Sequence, residues 1–136
     1  LNYPPILAGL SLTDAVTIGE GGEAIRLEPF TVQHGAIEAL GFRVGRFAYT
    51  PDVSDIPEES WPILHGLDAW LVDALRDRPH PSHAHLARTL EWLARAKPAR
   101  GILTNMHVDL DYHLTAARCP ANVAPAWDGM EFDISA

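Results

Sequence analysis

Seven histidines and eighteen acidic side chains occur in these 136 residues, and several fall where chains build sites rather than cores. His34 closes an alternating run, Asp52 follows the next apolar stretch, and His107 comes just after the strand-like Gly101-Ile102-Leu103-Thr104. Between them lies a Pro-rich loop, His80-Pro81-Ser82-His83-Ala84-His85. Imidazole and carboxylate are the ligand types that hold zinc or a pair of first-row divalent cations, and loops and strand ends are where such side chains converge. Taken singly, each histidine reads as readily as a structural or exposed residue. Spacing alone therefore leaves the joint metal-site reading open.

Other constellations carry less. Val108-Asp109-Leu110-Asp111-Tyr112 places carboxylates two apart but lacks the Gly and terminal Glu of an EF-hand loop. Asp111 fits a helix N-cap, and Asp109 a carboxylate that orients a neighbouring histidine. Asp73 ends an apolar run close to Arg76 and Arg78, so a salt bridge and a site carboxylate are both open. Cys119 precedes a proline with no histidine at a fixed spacing and reads as a passive thiol. Trp61, Trp70 and Trp92 read as core. Gly19-Glu20-Gly21-Gly22 has no Lys-Ser/Thr pair after it and fits a turn between strands better than a phosphate cradle. No serine stands in a nucleophile-elbow context.

The elements that must position these residues follow from periodicity and breakers. Ile6 to Leu10 is a short apolar run, and Val16-Thr17-Ile18 a second. From Ala24 the chain alternates, with Ile25, Leu27, Pro29 and Thr31 on one side and Arg26, Glu28, Phe30 and Val32 on the other. Residues 40–44 and 46–50 read as a hairpin turning at Gly45 and stopping at Pro51-Asp52. Pro57 to Trp61 begins a short helix with acids in its first turn, where they favour the dipole. Leu67 to Leu75 suits a buried strand. Leu86, Leu90 and Leu93 mark the clearest helix, closed by Lys97-Pro98. After the strand at 101–104, a helix is expected from about Asp111 to Ala117, then two short strands around Ala126 and over Glu131 to Ile134. Hairpins first and helical connections later imply an α/β fold with a mixed sheet.

Composition bounds the rest. With 47% hydrophobic and 21% charged residues, the chain suits one globular domain. A formal charge of −8 repels phosphate backbones and anionic lipid, which disfavours nonspecific nucleic-acid binding. One cysteine makes no internal disulfide, so a reducing cytoplasm is the expected compartment. No apolar stretch approaches the roughly 20 residues that span a bilayer. The chain opens on Leu1-Asn2-Tyr3-Pro4-Pro5, which reads as the middle of a longer sequence.

Four segments together resemble, in order, the C-terminal half of metallo-β-lactamase-fold hydrolases. They are Tyr49 to Asp55, Val72 to His83, Ile102 to Tyr112 and Ala126-Trp127-Asp128-Gly129-Met130. The branch they are most similar to is the phosphodiesterase that opens cyclic phosphoribosyl phosphate in phosphonate breakdown, and ribonuclease Z is a more distant relative. The resemblance implies that residues 1–136 are the C-terminal part of a single αββα sandwich with helices on its outer face. It also implies two divalent metal ions, manganese or zinc, that would activate water and stabilise phosphoryl charge. His34 matches a metal ligand, Asp52 the carboxylate that bridges the metals, and His83 the histidine that protonates the leaving oxygen. The Leu-Thr-His tripeptide that carries the last ligand reads Leu103-Thr104-Asn105 here, with His107 two residues on. If the backbone stays extended, positions 105 and 107 point the same way, so His107 is the expected ligand and Asn105 the weaker candidate. The His-x-His-x-Asp-His motif of the N-terminal half is absent, so this chain alone is expected to be inactive or nearly so. The partner expected for the whole protein is a small phosphorylated metabolite. The chain itself is expected to pair with the missing half or with a second copy. The expected activity is hydrolysis of a small cyclic phosphate or nucleotide-like metabolite, and the competing readings are a nonenzymatic α/β half-domain, binding or assembly module and a ribonuclease Z-like endonuclease.

Overall fold

The computed structural model describes residue 9 and residues 11–134. The apolar run at 6–10 lies, Gly9 apart, outside the described residues. Seven strands form one sheet in which neighbours in space are neighbours in sequence. They are β1 (Val16–Ile18), β2 (Ile25–His34), β3 (Ile37–Val44), β4 (Phe47–Thr50), β5 (Ala69–Asp73), β6 (Arg100–Thr104) and β7 (Val123–Pro125). The first four pair antiparallel, β1 to β2 through a loop with a short 3-10 helix (Gly21–Glu23) and the next two pairs through two-residue turns, and the pairs from β4 to β7 are parallel. The sheet is mixed and the fold α/β, as the hairpin-then-helix order implies.

The connections are a 3-10 helix (Glu58–Leu64) between β4 and β5, helix α1 (Leu86–Ala96) between β5 and β6, and helix α2 (Tyr112–Arg118) before β7. Parallel neighbours need such crossovers because their ends lie at opposite edges of the sheet. α1 buries Leu86, Trp92, Leu93 and Ala96 against the sheet. It stops where Lys97 turns left-handed, φ 54°, and Pro98 follows. Asp111 caps α2, its carboxylate accepting the Leu114 N–H at 2.9 Å, in agreement with the N-cap reading.

One sheet face holds the core. Phe30, Val32, Ala48, Trp70, Val72 and Leu103 pack with Trp61 and Leu64 of the 3-10 helix and with α1. The three tryptophans read as core are all buried, and the Trp70 indole donates to Thr50 Oγ1 at 2.8 Å. The opposite face carries Thr31 beside Leu40 and Phe42 beside Tyr49. Leu40 is 40% and Tyr49 41% exposed, so this apolar face is only partly covered.

The C-terminal expectation needs correction. The first terminal strand is β7, centred before Ala126, and residues 131–134 form no strand. Phe132 instead packs with its ring centre 5.7 Å from that of Phe47, and the Arg100 guanidinium lies 5.7 Å from the centre of the Phe132 ring. Alternation makes a strand only where an edge offers ladder partners, and here side-chain packing draws the segment elsewhere. Among the described residues no helix is long and apolar enough to cross a membrane.

Two measurements check this packing. A Cβ on Gly41 would lie 2.5 Å from the Phe30 ring and 2.7 Å from Thr50 Cγ2, so Gly41→Ala should cost about 1–3 kcal/mol in urea unfolding. Bidentate hydrogen bonds from Arg95 and Arg118 hold Glu58 and Asp77 below the usual carboxylate range. Unfolding restores their ordinary values. The stabilisation is therefore present above about pH 4 and is lost as pH falls through the depressed folded values. The urea midpoint should decline on acidification, and Glu58→Gln or Asp77→Asn should each flatten that decline slightly.

Candidate metal centre

β2, β4, β5 and β6 all run the same way, so their C-terminal ends lie along one edge of the sheet. His34 is the last residue of β2, Asp73 the last of β5, Asp52 follows β4 by two, and Asn105 is the first residue beyond β6. The loop after β5 returns to the same edge. Leu75 and Ala84 are joined by a backbone hydrogen bond of 2.9 Å, and Ala84 N–H reaches Val53 O at 2.6 Å. Inside the loop, the Arg76 guanidinium donates to the carbonyls of Arg78 and Pro79 at 3.2 and 3.0 Å. These bonds bring His83 over the end of β5.

His34, Asp52 and His83 each offer a ligand atom, and those atoms lie within 4.8 Å of one another. Gly35 permits the close approach. Its φ of +65° suits the two-residue turn into β3, and a Cβ there would meet Ser82 Cβ at 3.0 Å. His34 Nδ1 sits 2.6 Å from Ser82 O. A carbonyl only accepts, so Nδ1 carries the hydrogen and Nε2 keeps its lone pair for a metal. The His34 and His83 rings meet edge to face at 4.7 Å.

Behind them lies Asp73, fully buried. Its Oδ2 accepts from His83 Nδ1 at 2.7 Å and from Val53 N–H at 3.2 Å. Its Oδ1 takes the Asn105 amide at 3.4 Å. Burial pushes the Asp73 carboxyl above its ordinary range, against the lowering pull of the His83, Val53 and Asn105 hydrogen bonds. This carboxylate answers the question that Arg76 and Arg78 left open, since the hydrogen bonds of Arg76 go to loop carbonyls and those of Asp73 to the cluster. His80 Nδ1 accepts from Ser82 N–H at 3.3 Å, and partial burial beside Arg76, His83 and His34 pushes it below the usual histidine range.

The structure brings His34, Asp52 and His83 together, with Asn105 against them and 3.3 Å from His83 Nδ1. It does not bring His107 into this group. The extended backbone that would point 105 and 107 the same way is absent, because Asn105 adopts φ 60° and β6 ends at Thr104. His107 is exposed, its Nδ1 3.3 Å from Asp109 Oδ2 and 3.4 Å from the Asp109 N–H. The His34 imidazole and the Asp52 carboxylate are donors that fit a first-row divalent cation, with the His83 imidazole beside them.

Residues 7–106 match the model of the beta-lactamase superfamily domain. The chain belongs to the beta-lactamase superfamily. A solved member, a diphosphatase from the PhnP family, is 34% identical with a TM-score of 0.82 over 91% of this chain. The superfamily's fold recurs in the metallo-β-lactamase fold protein YhfI from Bacillus subtilis, with TM-score 0.69 and 14% identity over 95% of this chain and 57% of that one. The chain is also similar to the octanoyltransferase of Porphyromonas gingivalis, 24% identical over 79% of this chain. This chain spans 48% of the diphosphatase and 22% of the octanoyltransferase.

Replacing Asp73 by Asn tests the arrangement. Asparagine keeps the shape but only one acceptor oxygen, so either His83 Nδ1–H or the Asn105 amide then faces an NH2 donor. Because burial raises the Asp73 pKa, its ionised form opposes folding as pH rises, so the stability of Asp73→Asn relative to wild type should improve as pH rises. The His83 tautomer should change, as read by 15N NMR. A stability loss above about 1 kcal/mol would show that hydrogen bonding outweighs burial there.

Proposed function

We propose that this chain is the C-terminal half of a metal-dependent phosphodiester hydrolase acting on a small phosphorylated metabolite. The observation that carries the reading is the convergence of His34, Asp52 and His83 from three separate elements onto one sheet edge, with donor atoms within 4.8 Å. Likeness to a diphosphatase at 34% identity supports hydrolysis at a phosphoryl centre.

Each residue has a task. His34 presents Nε2 in a tautomer set by Ser82 O, and Asp52 presents an exposed carboxylate. Together they are the first ligands of the metal pair. The chemistry that two divalent cations, manganese or zinc, supply when bound is neutralisation of phosphoryl charge and activation of water. His83, backed by the Asp73 carboxylate, holds a proton on Nε2 for the leaving oxygen, because an alkoxide leaves poorly at neutral pH. Asp73 acts through His83 and is a positioning residue. Asn105, which donates to Pro51 O at 3.3 Å as well as to Asp73, braces the two loops.

The half-covered face with Leu40 and Tyr49 suits the preceding half of the fold, or a second copy of this chain. A surface charge of −8 favours a small substrate over a polyanionic nucleic acid, and the lone thiol suits a reducing compartment such as the cytoplasm.

Bound manganese and zinc and hydrolysis of bis(p-nitrophenyl) phosphate should be measured for this chain and for one extended upstream. The extended chain should bind metal and turn over, and this chain should do neither well. Equal activity in the two would sink the two-half reading. In the extended chain, His34→Ala and Asp52→Ala should abolish activity with little loss of fold. His83→Ala should slow alkyl esters by about 10²–10⁴ yet barely affect p-nitrophenyl esters, whose leaving group departs without a proton.

A further inference from the structure

A second cleft adjoins the metal centre. It encloses about 380 Å³ and is walled by Thr104, Asn105, Met106, Trp127 and Asp128 among others. Asn105 belongs to both places, since its amide also lies 3.3 Å from His83 Nδ1. A phosphodiester whose reacting phosphorus sits at the centre therefore has this cleft within reach of its remaining ester group.

Trp127 is 52% exposed, whereas Trp61, Trp70 and Trp92 are buried. Its exposure is not that of a loose tail. Ala126 N–H bonds Leu103 O at 2.8 Å, and Met130 N–H bonds Trp127 O at 3.0 Å. The turn so closed contains Gly129 at φ +84°, a conformation that a side chain would strain. The segment Ala126-Trp127-Asp128-Gly129-Met130 thus holds an indole open to solvent on the cleft that Asn105 shares with the centre.

We propose that this cleft is the subsite for the non-reacting part of the substrate, and that this part is a neutral ring bearing hydroxyl or amino donors, a nucleoside being the type. The proposal rests on the phosphodiesterase reading. An indole face stacks on any base or on the apolar face of a sugar. A carboxylate at Asp128 accepts from hydroxyl or amino groups and repels a second phosphate. The two walls therefore select a ring with donors and reject an anion, which leaves the phosphate end to the metal centre.

Thymidine 5′-monophosphate p-nitrophenyl ester and methyl p-nitrophenyl phosphate share a leaving group and differ only in the group this cleft would hold. In the upstream-extended chain with manganese, Trp127→Ala should raise KM for the nucleoside ester about tenfold, leave kcat within about twofold and leave the methyl ester unchanged. Trp127→Phe should stay near wild type. Equal effects on the two esters, or none, overturn the subsite. Calorimetry with thymidine 5′-monophosphate gives a readout that needs no turnover: Trp127→Ala should weaken binding about tenfold, and equal affinity in variant and wild type overturns the proposal. If neither ester is hydrolysed but binding depends on Trp127, the cleft stands and the phosphodiesterase reading falls.

Discussion

A carboxylate with no solvent exposure sits at the end of β5, and the surrounding loops are arranged to satisfy it. Asp73 needs partners because an unpaired buried charge costs several kcal/mol. It obtains them from Val53 in the loop after β4, His83 in the loop after β5 and Asn105 after β6. Its own backbone carbonyl takes the Thr89 hydroxyl of α1 at 2.6 Å. Three segments distant in sequence are thereby tied to one side chain, and a fourth to its backbone. The cluster of His34, Asp52 and His83 is built on loops that are already fixed by this demand, which is how loop residues keep a defined geometry.

The two faces of the sheet differ in how complete they are. On the helical side, the outer surface is finished with cations over rings, Arg95 lying 3.9 Å from the Trp61 ring centre and Arg88 5.4 Å from that of Trp92. Arg95 also forms a bidentate pair with Glu58 at 2.8 and 2.6 Å. These contacts let aliphatic stems cover aromatic surface while the charges stay hydrated. The opposite face has one such contact, Arg100 over Phe132 beside Phe47, while among the described residues Leu40 and Tyr49 stay exposed. That asymmetry agrees with a chain spanning 48% of its solved diphosphatase relative.

Much of this was legible in the sequence, and the failures have physical causes. β2 to β6 and α1 stand out because alternation and helical spacing report burial directly, and their ends expose His34 and Asp52 as site candidates. Asp73 stayed undecided because Arg76 and Arg78 are its neighbours in the chain, whereas its partners are set by a loop that doubles back. One dihedral angle at Asn105 turns His107 away from the cluster, and an asparagine in the left-handed region is not visible in residue types alone. The segment 131–134 alternates like a strand, but pairing depends on a free edge that periodicity does not register.

The strand order β1 to β7 follows the chain without a break, and this has a kinetic consequence. Each strand docks on the one made just before it, so loop-closure entropy is met in small instalments and no early strand waits for a distant partner. A chain emerging from the ribosome can extend the sheet edge by edge, starting from the β2–β3 hairpin. The carboxylate at the end of β5 gains His83 once its own loop closes, but it gains Asn105 only when β6 is in place. Assembly of the centre is therefore ordered in time, with its bracing completed last.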